Sequence, residues 1–189
     1  MCGIVGYIGS QEACPILMEG LSRLSYRGYD SAGVAILDTE GKINIHKAKG
    51  RLENLASILE NQPLFGSAGI GHTRWATHGE PSDLNAHPHT DVSGGIAVVH
   101  NGIIENHEAL RRHLQSQGCI FVSQTDTEVV AHLLSSLYDG DMKATLLKAM
   151  QMLEGSYALG VLCDAEPHKL FCVRHESPLV VGSKQGEAF

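Results

Sequence analysis

The sequence predicts an α+β sandwich, in which antiparallel sheets and helices form separate layers. The β-prone segments 33–37 and 43–47 flank a polar stretch with Asp38 and Gly41, which suits a tight turn and predicts a β-hairpin. Three segments with apolar residues at helical spacing then follow one another between residues 107 and 153. Hairpins together with segregated helices are typical of layered α+β folds, whereas doubly wound parallel sheets alternate single strands with single helices.

Hydrophobic periodicity predicts the other elements in order along the chain. A strand is expected at 4–8, a helix around 16–24, and, after the hairpin, a helix around 52–59 that ends before Pro63. Strands are expected at 69–72 and 96–100. The later helices are expected at 107–117 with Asn106 as N-cap, at 126–138 and at 143–153. Strands at 157–163, 169–173 and 179–181 complete the set.

The composition excludes several classes of protein. The 189 residues carry 14 Lys and Arg against 21 Asp and Glu, and this net charge of −7 argues against a nucleic-acid binder, which needs a basic surface. The longest apolar runs are far shorter than the ~20 residues of a membrane span. No signal peptide is visible, and the five cysteines form no Cys-x-x-Cys pair. We therefore expect a single cytoplasmic domain with no membrane or nucleic-acid partner.

Cys2 is a candidate nucleophile. A cysteine near a terminus is usually only a small, often buried residue. Initiator methionine, however, is generally removed before a small second residue, and removal would leave a free α-amino group on Cys2. That amine has a pKa close to that of the thiol, so one residue would supply both a nucleophile and its general base.

Asn101 and Gly102 could donate hydrogen bonds to an oxyanion that forms when a thiol attacks a carbonyl. They follow the predicted strand that begins at Ile96. Asn-Gly is also the commonest tight-turn dipeptide, and the two interpretations have even weight from the dipeptide alone. A hairpin turn should be followed by a strand, whereas a helix is expected from residue 107, which favours the oxyanion interpretation.

The long polar stretch 73–95 contains side chains that can bind a ligand. Stretches of this length in a compact domain are usually functional or disordered. Arg74 can bind a carboxylate with two parallel hydrogen bonds, and Thr77 with nearby backbone N–H groups could complete the pocket. The alternatives are a solvated charge for Arg74 and a core anchor for Trp75. We favour a mobile lid that closes over a ligand.

Asp126 lies in the segment Thr125-Asp126-Thr127-Glu128, which has the pattern of a capping box at the start of a helix. Helix capping alone is the stronger interpretation of this segment. The functional interpretation is a carboxylate that binds a substrate ammonium group. A thiol, an oxyanion hole, Arg74 and Asp126 together describe a site for an amino acid that has a carbonyl in its side chain.

Histidines are numerous, with 11 in the chain. A metal-binding module built on His72, His78, His87 and His89 is one alternative, because histidine is the commonest metal ligand. No cysteine spacing or carboxylate pair completes a recognisable site. We therefore expect no metal, and histidines that pack in the interior.

Six motifs resemble those of one family: Cys-Gly-Ile-Val-Gly at 2–6, Tyr-Arg-Gly-Tyr-Asp-Ser-Ala-Gly at 26–33, His-Thr-Arg-Trp-Ala-Thr-His-Gly at 72–79, Asn-Ala-His-Pro-His at 85–89, His-Asn-Gly-Ile-Ile-Glu-Asn at 100–106 and Thr-Asp-Thr-Glu at 125–128. They are similar to the N-terminal glutaminase domain of the glutamine–fructose-6-phosphate aminotransferases, which are class II glutamine amidotransferases. Phosphoribosyl-pyrophosphate amidotransferases share the opening Cys-Gly-Ile of the first motif and the His-Asn-Gly of the fifth. The run 27–33 and Trp75 favour the aminosugar family.

The resemblance implies a four-layer αββα sandwich of the N-terminal-nucleophile type. It also implies that Cys2 attacks the side-chain amide of L-glutamine and that Asn101 and Gly102 stabilise the intermediate, without a cofactor. The implied contacts to substrate are from Arg74, Thr77 and His78 to the α-carboxylate and from Asp126 to the α-ammonium group. Trp75 would gate an ammonia tunnel, and Arg27 would have a supporting role.

The resemblance further implies a longer protein. In that family, sugar-isomerase domains bind fructose 6-phosphate and convert it to glucosamine 6-phosphate with the released ammonia, and the full-length protein is expected to be a homo-oligomer. Residues 1–189 would be the glutaminase domain, truncated at its C-terminal end. The glutaminase half of another class II amidotransferase, with a different acceptor, is the remaining alternative within the enzyme class.

Overall fold

The computed structural model describes residues 2–76 and 79–189. These residues form ten strands and five α-helices, and several strands or several helices often follow one another along the chain. The strands are β1 (Gly3–Ile8), β2 (Ser31–Leu37), β3 (Ile43–Lys49), β4 (Ala68–Arg74), β5 (His89–Thr90), β6 (Ile96–Ile104), β7 (Gly155–Cys163), β8 (Phe171–His175), β9 (Ser183–Lys184) and β10 (Glu187–Ala188). The helices are α1 (Ala13–Leu24), α2 (Leu52–Asn61), α3 (His107–Ser116), α4 (Asp126–Leu137) and α5 (Met142–Met150).

Two antiparallel sheets form the centre of the molecule. The first has six strands in the order β3-β2-β4-β1-β10-β9, and the second has four in the order β5-β6-β7-β8. In the first sheet, β4 pairs with β1 on one side and β2 on the other, so that Thr73 lies opposite both Gly3 and Ala32. The ends of β1 and β4 therefore meet at one edge of the molecule, where Cys2 precedes β1.

Three apolar clusters hold four layers together. One cluster packs α1 and α2 against the outer face of the six-stranded sheet, with Leu17, Leu21 and Leu55 fully buried. A second lies between the sheets and includes Ile70 and Val99. The third packs α3, α4 and α5 against the four-stranded sheet. The helix–sheet–sheet–helix order confirms the α+β sandwich with four αββα layers.

Most predicted elements are present, within a few residues of the expected bounds, but the strand expected at 179–181 is wrong. Those residues have no regular structure, and short β9 and β10 follow them instead. The strand expected at 169–173 lies two residues later, since β8 covers Phe171–His175.

Asn106 occupies the expected N-cap position of α3 but does not cap it with its side chain. Its amide donates to Met152 O at 2.8 Å and its Oδ1 accepts from Glu154 N at 3.2 Å. The side chain therefore ties the start of α3 to the segment before β7. Among the described residues, no helix has the length and apolar character that a membrane crossing requires.

Candidate active site

Cys2 lies just before β1, with its side chain half-buried against the segment that leaves β4. Its Sγ accepts a hydrogen bond from the backbone N–H of Trp75 at 3.2 Å and lies 3.5 Å from the Trp75 carbonyl oxygen, to which the thiol donates. The pairing of β1 with β4 fixes this contact, because Gly3 and Thr73 lie opposite each other in the register. The thiol is thereby held at the end of the sheet.

The electrostatic surroundings of Cys2 favour the protonated thiol. Burial raises its pKa above the ordinary value, and the Trp75 N–H and the positive charge of Arg74 offset this only in part, while Asp30 adds to the rise. A thiol is a poor nucleophile compared with a thiolate. The site therefore needs a base to take the proton during attack.

Asn101 and Gly102 lie within β6 and not in a turn. The strand continues to Ile104, and Asn101 and Gly102 face Ala158 and Tyr157 of β7 in the register. The tight-turn interpretation of Asn-Gly, and the strand end expected at residue 100, are therefore wrong. Asn101 Nδ2 donates to the Cys2 carbonyl oxygen at 3.4 Å, which places the side-chain amide beside the candidate nucleophile.

Gly102 has a backbone conformation that favours glycine, with φ of 126°. A Cβ at this position would lie 2.0 Å from the Ser156 carbonyl oxygen of the neighbouring strand. Only glycine therefore fits here, and its backbone N–H stands next to the Asn101 amide in sequence.

Arg74 ends β4, and its side chain is buried rather than solvated, so the solvated-charge alternative is wrong. Its Nη2 donates to Gly79 O at 3.1 Å, and its Nη1 lies 4.0 Å from Asp30 Oδ1. Burial lowers the pKa of Arg74, and the negative charges of Asp30, of Cys2 in its thiolate form and of Asp126 oppose that shift. The guanidinium is thus close enough to both Cys2 and Asp126 for their charges to interact.

Trp75 is 54% exposed, so it is not a core anchor. Thr77 and His78 lie outside the described residues, as does the side chain of Arg27.

Asp30 was not singled out in the sequence, although it lies in the motif at 26–33. Its carboxylate accepts hydrogen bonds from the Ala76 N–H and the Ser31 hydroxyl, and its own N–H donates to Arg74 O at 2.7 Å. Asp30 therefore holds residues 74–76 in place, and Trp75 in this segment forms the hydrogen bonds to the Cys2 thiol. The place of Asp30 in the motif at 26–33 is the feature of the sequence that indicates a role. Its partner Ala76, 46 residues away, cannot be identified from the sequence.

Asp126 is the first residue of α4 and is buried. Its Oδ2 accepts from the Ile104 N–H at 3.0 Å and lies 3.7 Å from His100 Nδ1. These contacts link the start of α4 to the end of β6, the strand that carries Asn101. The carboxylate therefore lies on the same side of the sandwich as the candidate oxyanion donors.

Only half of the expected capping box is formed. Thr125 Oγ1 accepts the Glu128 N–H at 3.3 Å, as a capping residue does, but the Glu128 carboxylate turns to the preceding loop. It accepts from the backbone N–H groups of Val122 at 2.8 Å and Ser123 at 2.7 Å. Burial alone would raise the Glu128 pKa, but the neighbouring His132 and these hydrogen bonds outweigh it and lower the pKa to about 2. Glu128 is therefore a structural anion.

Four histidines, His72, His87, His89 and His100, are buried close together in the interior. The ring of His87 lies 4.2 Å from that of His72, 4.9 Å from that of His89 and 6.5 Å from that of His100, measured between centroids. Burial lowers the pKa of His72 to about 3 and holds those of His87 and His89 well below their ordinary value. Across residues 2–76 and 79–189, no group of three or more His, Cys, Asp or Glu is arranged to hold a metal ion.

Comparison with known proteins identifies a domain family and close relatives. A family model described as "Glutamine amidotransferase domain" matches residues 72–189. Curated relatives named glutamine–fructose-6-phosphate aminotransferase [isomerizing] include those of Symbiobacterium thermophilum, 59% identical over 99% of this chain and 30% of that protein, and Caldanaerobacter subterraneus, 60% identical over 100% of this chain and 31% of that protein. The chain thus spans about a third of the length of these relatives.

Solved structures extend the likeness to the fold. The glutamine phosphoribosylpyrophosphate amidotransferase of B. subtilis matches with a TM-score of 0.74 and 31% identity, over 87% of this chain and 35% of that chain. A structure titled as the allosteric regulatory enzyme of purine biosynthesis matches with a TM-score of 0.75 and 32% identity, over 87% of this chain and 36% of that one. The likeness confirms the expected N-terminal-nucleophile type of the sandwich.

Proposed function

The chain belongs to the glutamine amidotransferase domain family, and from this we propose that it hydrolyses the side-chain amide of L-glutamine to glutamate and ammonia through a cysteinyl thioester. The single observation that carries the proposal is the contact of the half-buried Cys2 with the Trp75 N–H and with the Asn101 amide. This contact puts a thiol and a hydrogen-bond donor in one place, which acyl transfer requires.

Cys2 is the nucleophile in the proposed reaction. After removal of Met1, its α-amine takes the thiol proton while Sγ bonds to the amide carbon, and the carbonyl oxygen becomes an oxyanion that accepts from Asn101 Nδ2 and the Gly102 N–H. The amine then returns the proton to the amide nitrogen, the carbon–nitrogen bond breaks and ammonia leaves. Water, deprotonated by the same amine, hydrolyses the thioester to glutamate and frees the thiol.

The remaining site residues bind and enclose glutamine. Arg74, with Thr77 and His78, holds the α-carboxylate, and Asp126 holds the α-ammonium group. The interaction of the Arg74 charge with both Cys2 and Asp126 supports this assignment, since it places groups for both ends of an amino acid near the thiol.

Two further residues complete the proposed site. Trp75 gates the exit of ammonia, which fits a half-exposed residue whose backbone contacts the thiol, and Arg27 supports the nucleophile. No cofactor takes part in the proposed reaction.

We infer a longer protein that passes ammonia to fructose 6-phosphate and forms glucosamine 6-phosphate. Curated relatives named glutamine–fructose-6-phosphate aminotransferase are 50–60% identical to the chain. The B. subtilis phosphoribosylpyrophosphate amidotransferase and the enzyme of purine biosynthesis are 31–32% identical. This difference favours fructose 6-phosphate over the acceptor of another amidotransferase. Residues 1–189 are then the glutaminase domain without its C-terminal end. We also infer a cytoplasmic location, which the five free cysteines support, and a homo-oligomeric full-length protein.

The test is glutamate release from glutamine by the purified chain and by Cys2→Ala. We expect release by the unaltered chain and loss of at least ~10³-fold in the variant, because removal of the nucleophile removes the thioester route. Circular dichroism of both proteins shows that the fold is kept. Release by Cys2→Ala at the unaltered rate would refute the proposal. On full-length protein, an acceptor screen separates fructose 6-phosphate from other acceptors.

A further inference from the structure

His72 and Asn101 join the two sheets directly beside the candidate nucleophile. His72 lies in β4 of the six-stranded sheet and Asn101 in β6 of the four-stranded sheet, and His72 Nε2 lies 3.0 Å from Asn101 Oδ1. The other end of the same amide, Nδ2, donates to the Cys2 carbonyl oxygen at 3.4 Å. Asn101 is thus held between a buried imidazole and the residue that carries the thiol.

With the Asn101 amide oriented as in the structure, the contact requires a hydrogen at His72 Nε2. An amide oxygen only accepts hydrogen bonds, so the nitrogen that faces Oδ1 must carry a hydrogen. Because burial lowers the pKa of His72 to about 3, the ring is neutral at neutral pH and has one N–H. That N–H is at Nε2. The ring of His87 lies beside that of His72, with 4.2 Å between the two centroids.

The opposite tautomer would turn the Asn101 amide around. If Nε2 carried no hydrogen, it would accept from Nδ2, and Oδ1 would then face the Cys2 carbonyl oxygen. Two oxygens would oppose each other, and an oxyanion at the thiol would meet an acceptor instead of a donor. The end of the amide that faces the nucleophile therefore depends on the hydrogen at His72 Nε2.

We propose that His72 is a positioning residue that holds the Asn101 side chain with Nδ2, and not Oδ1, toward Cys2. The proposal rests on the proposed function for its catalytic consequence, but the tautomer of His72 does not depend on activity. His72 touches no reacting atom in this account; it acts through Asn101.

Three substitutions separate the hydrogen bond from the packing of the ring. His72→Gln retains an N–H donor at about the distance of Nε2, whereas His72→Asn has a shorter reach and His72→Leu has no donor. We expect kcat for glutamate release to fall at least ~10-fold in the Leu and Asn variants, within the ~10²–10³-fold that loss of an oxyanion donor costs. KM for glutamine should change less than about threefold, and His72→Gln should recover most of kcat.

The matched control is His87→Leu, which removes the ring beside His72. Among the contacts of the described residues, it is His72 and not His87 that bonds to Asn101. His87→Leu should lower the unfolding midpoint with little change in kcat. An equal loss of kcat in His87→Leu, or a His72→Gln variant as slow as His72→Leu, would overturn the proposal in favour of packing alone. If His72→Leu does not fold, the Gln and Asn pair decides.

A second measurement reads the tautomer without activity. Imidazole ¹⁵N spectra at pH 7, with the His72 signals identified by their loss in His72→Gln or His72→Asn, should show hydrogen at Nε2 and none at Nδ1. Hydrogen at Nδ1 would overturn the proposal. If the unaltered chain releases no glutamate, the proposed function fails, and the tautomer still confirms or overturns the orientation of Asn101 by itself.

Discussion

Cys2 combines a suitable position with an unfavourable protonation state. Its thiol contacts Trp75 and its backbone carbonyl oxygen accepts from the Asn101 amide. Burial, however, raises the pKa of the thiol, so that at neutral pH the side chain is a thiol and not a thiolate. The positive charge of Arg74 opposes this rise only in part, and the proposal already uses Arg74 for the substrate carboxylate. A base on Cys2 itself, its α-amine, removes this difficulty.

Retention of Met1 should therefore abolish activity. In such a protein the α-amine of Cys2 is part of a peptide bond and is not a base, so we expect glutamate release to fall to the level of Cys2→Ala. Intact-mass measurement separates protein with Met1 from protein without it, and the two preparations are assayed side by side. Glutamate release by Met1-bearing protein at the rate of the processed chain would contradict the role of the amine.

Residue patterns alone predicted part of the candidate site. The candidate nucleophile Cys2, the Asn-Gly pair, Arg74 and Asp126 belong to motifs whose possible chemistry follows from residue type. Asp30 and His72 were missed as parts of the site because their partners are distant in sequence: Ala76 for one and Asn101 for the other. Only the pairing of β2 with β4, and the packing of the two sheets, brings those atoms together.

Among the elements, hydrophobic periodicity correctly predicted the strands that bury one face in the core. It wrongly predicted a strand where apolar residues line a cavity instead. The segment 179–181 was expected to pair because it is apolar, yet Val180 is 88% and Val181 62% exposed, and the segment lines an apolar cavity of about 340 Å³ with Leu170. Conversely, the Asn-Gly pair suggested that β6 ends early. Pairing with β7 extends the strand to Ile104, because tertiary contacts override the turn preference of the dipeptide.

Gly33 in β2 provides a test of how the long segment before β5 packs on the sheet. A Cβ there would lie 2.2 Å from the His87 carbonyl oxygen, which is backbone and so has little freedom to move. We expect Gly33→Ala to lower the free energy of unfolding by ~1–3 kcal/mol, the usual cost of overpacking. Urea unfolding measures this.

Gly182→Ala is the matched control for that measurement. A Cβ at Gly182 has no neighbour within 4 Å, so its effect should stay within ~0.5 kcal/mol, as for most exposed sites. Equal stability of the two variants would show that β2 and the backbone at residue 87 are not in the contact described.

At the scale of the whole molecule, the buried histidines make the sandwich sensitive to acid. His72, His87 and His89 are buried, and burial lowers all three pKa values, to about 3 in the case of His72. The unfolded chain takes up protons near the ordinary histidine pKa of about 6.5, while the folded chain does not. Their contribution to stability is therefore complete above about pH 6.5 and is lost as the pH falls below it.

Unfolding free energy should consequently decline between pH 6.5 and 5. Each histidine that stays neutral only in the folded state contributes ~1.4 kcal/mol per pH unit, so three give a slope of ~4 kcal/mol per unit. Glu128 adds to the decline only below its unfolded pKa of about 4.3, since its folded pKa is about 2. Urea unfolding at several pH values measures the slope. His87→Leu should reduce the slope by ~1.4 kcal/mol per pH unit, the contribution of one proton. A slope of zero over this range would contradict the burial of these rings.

The covalent intermediate is the most direct test of the central claim, that Cys2 carries the γ-glutamyl group of glutamine. Acid quenching of the chain during turnover, followed by intact-mass measurement and analysis of the N-terminal peptide, detects the thioester. We predict an adduct with the mass of glutamine less ammonia, confined to Cys2 and absent from Cys2→Ala. Glutamate release with no such adduct, and with undiminished rate in Cys2→Ala, would contradict it.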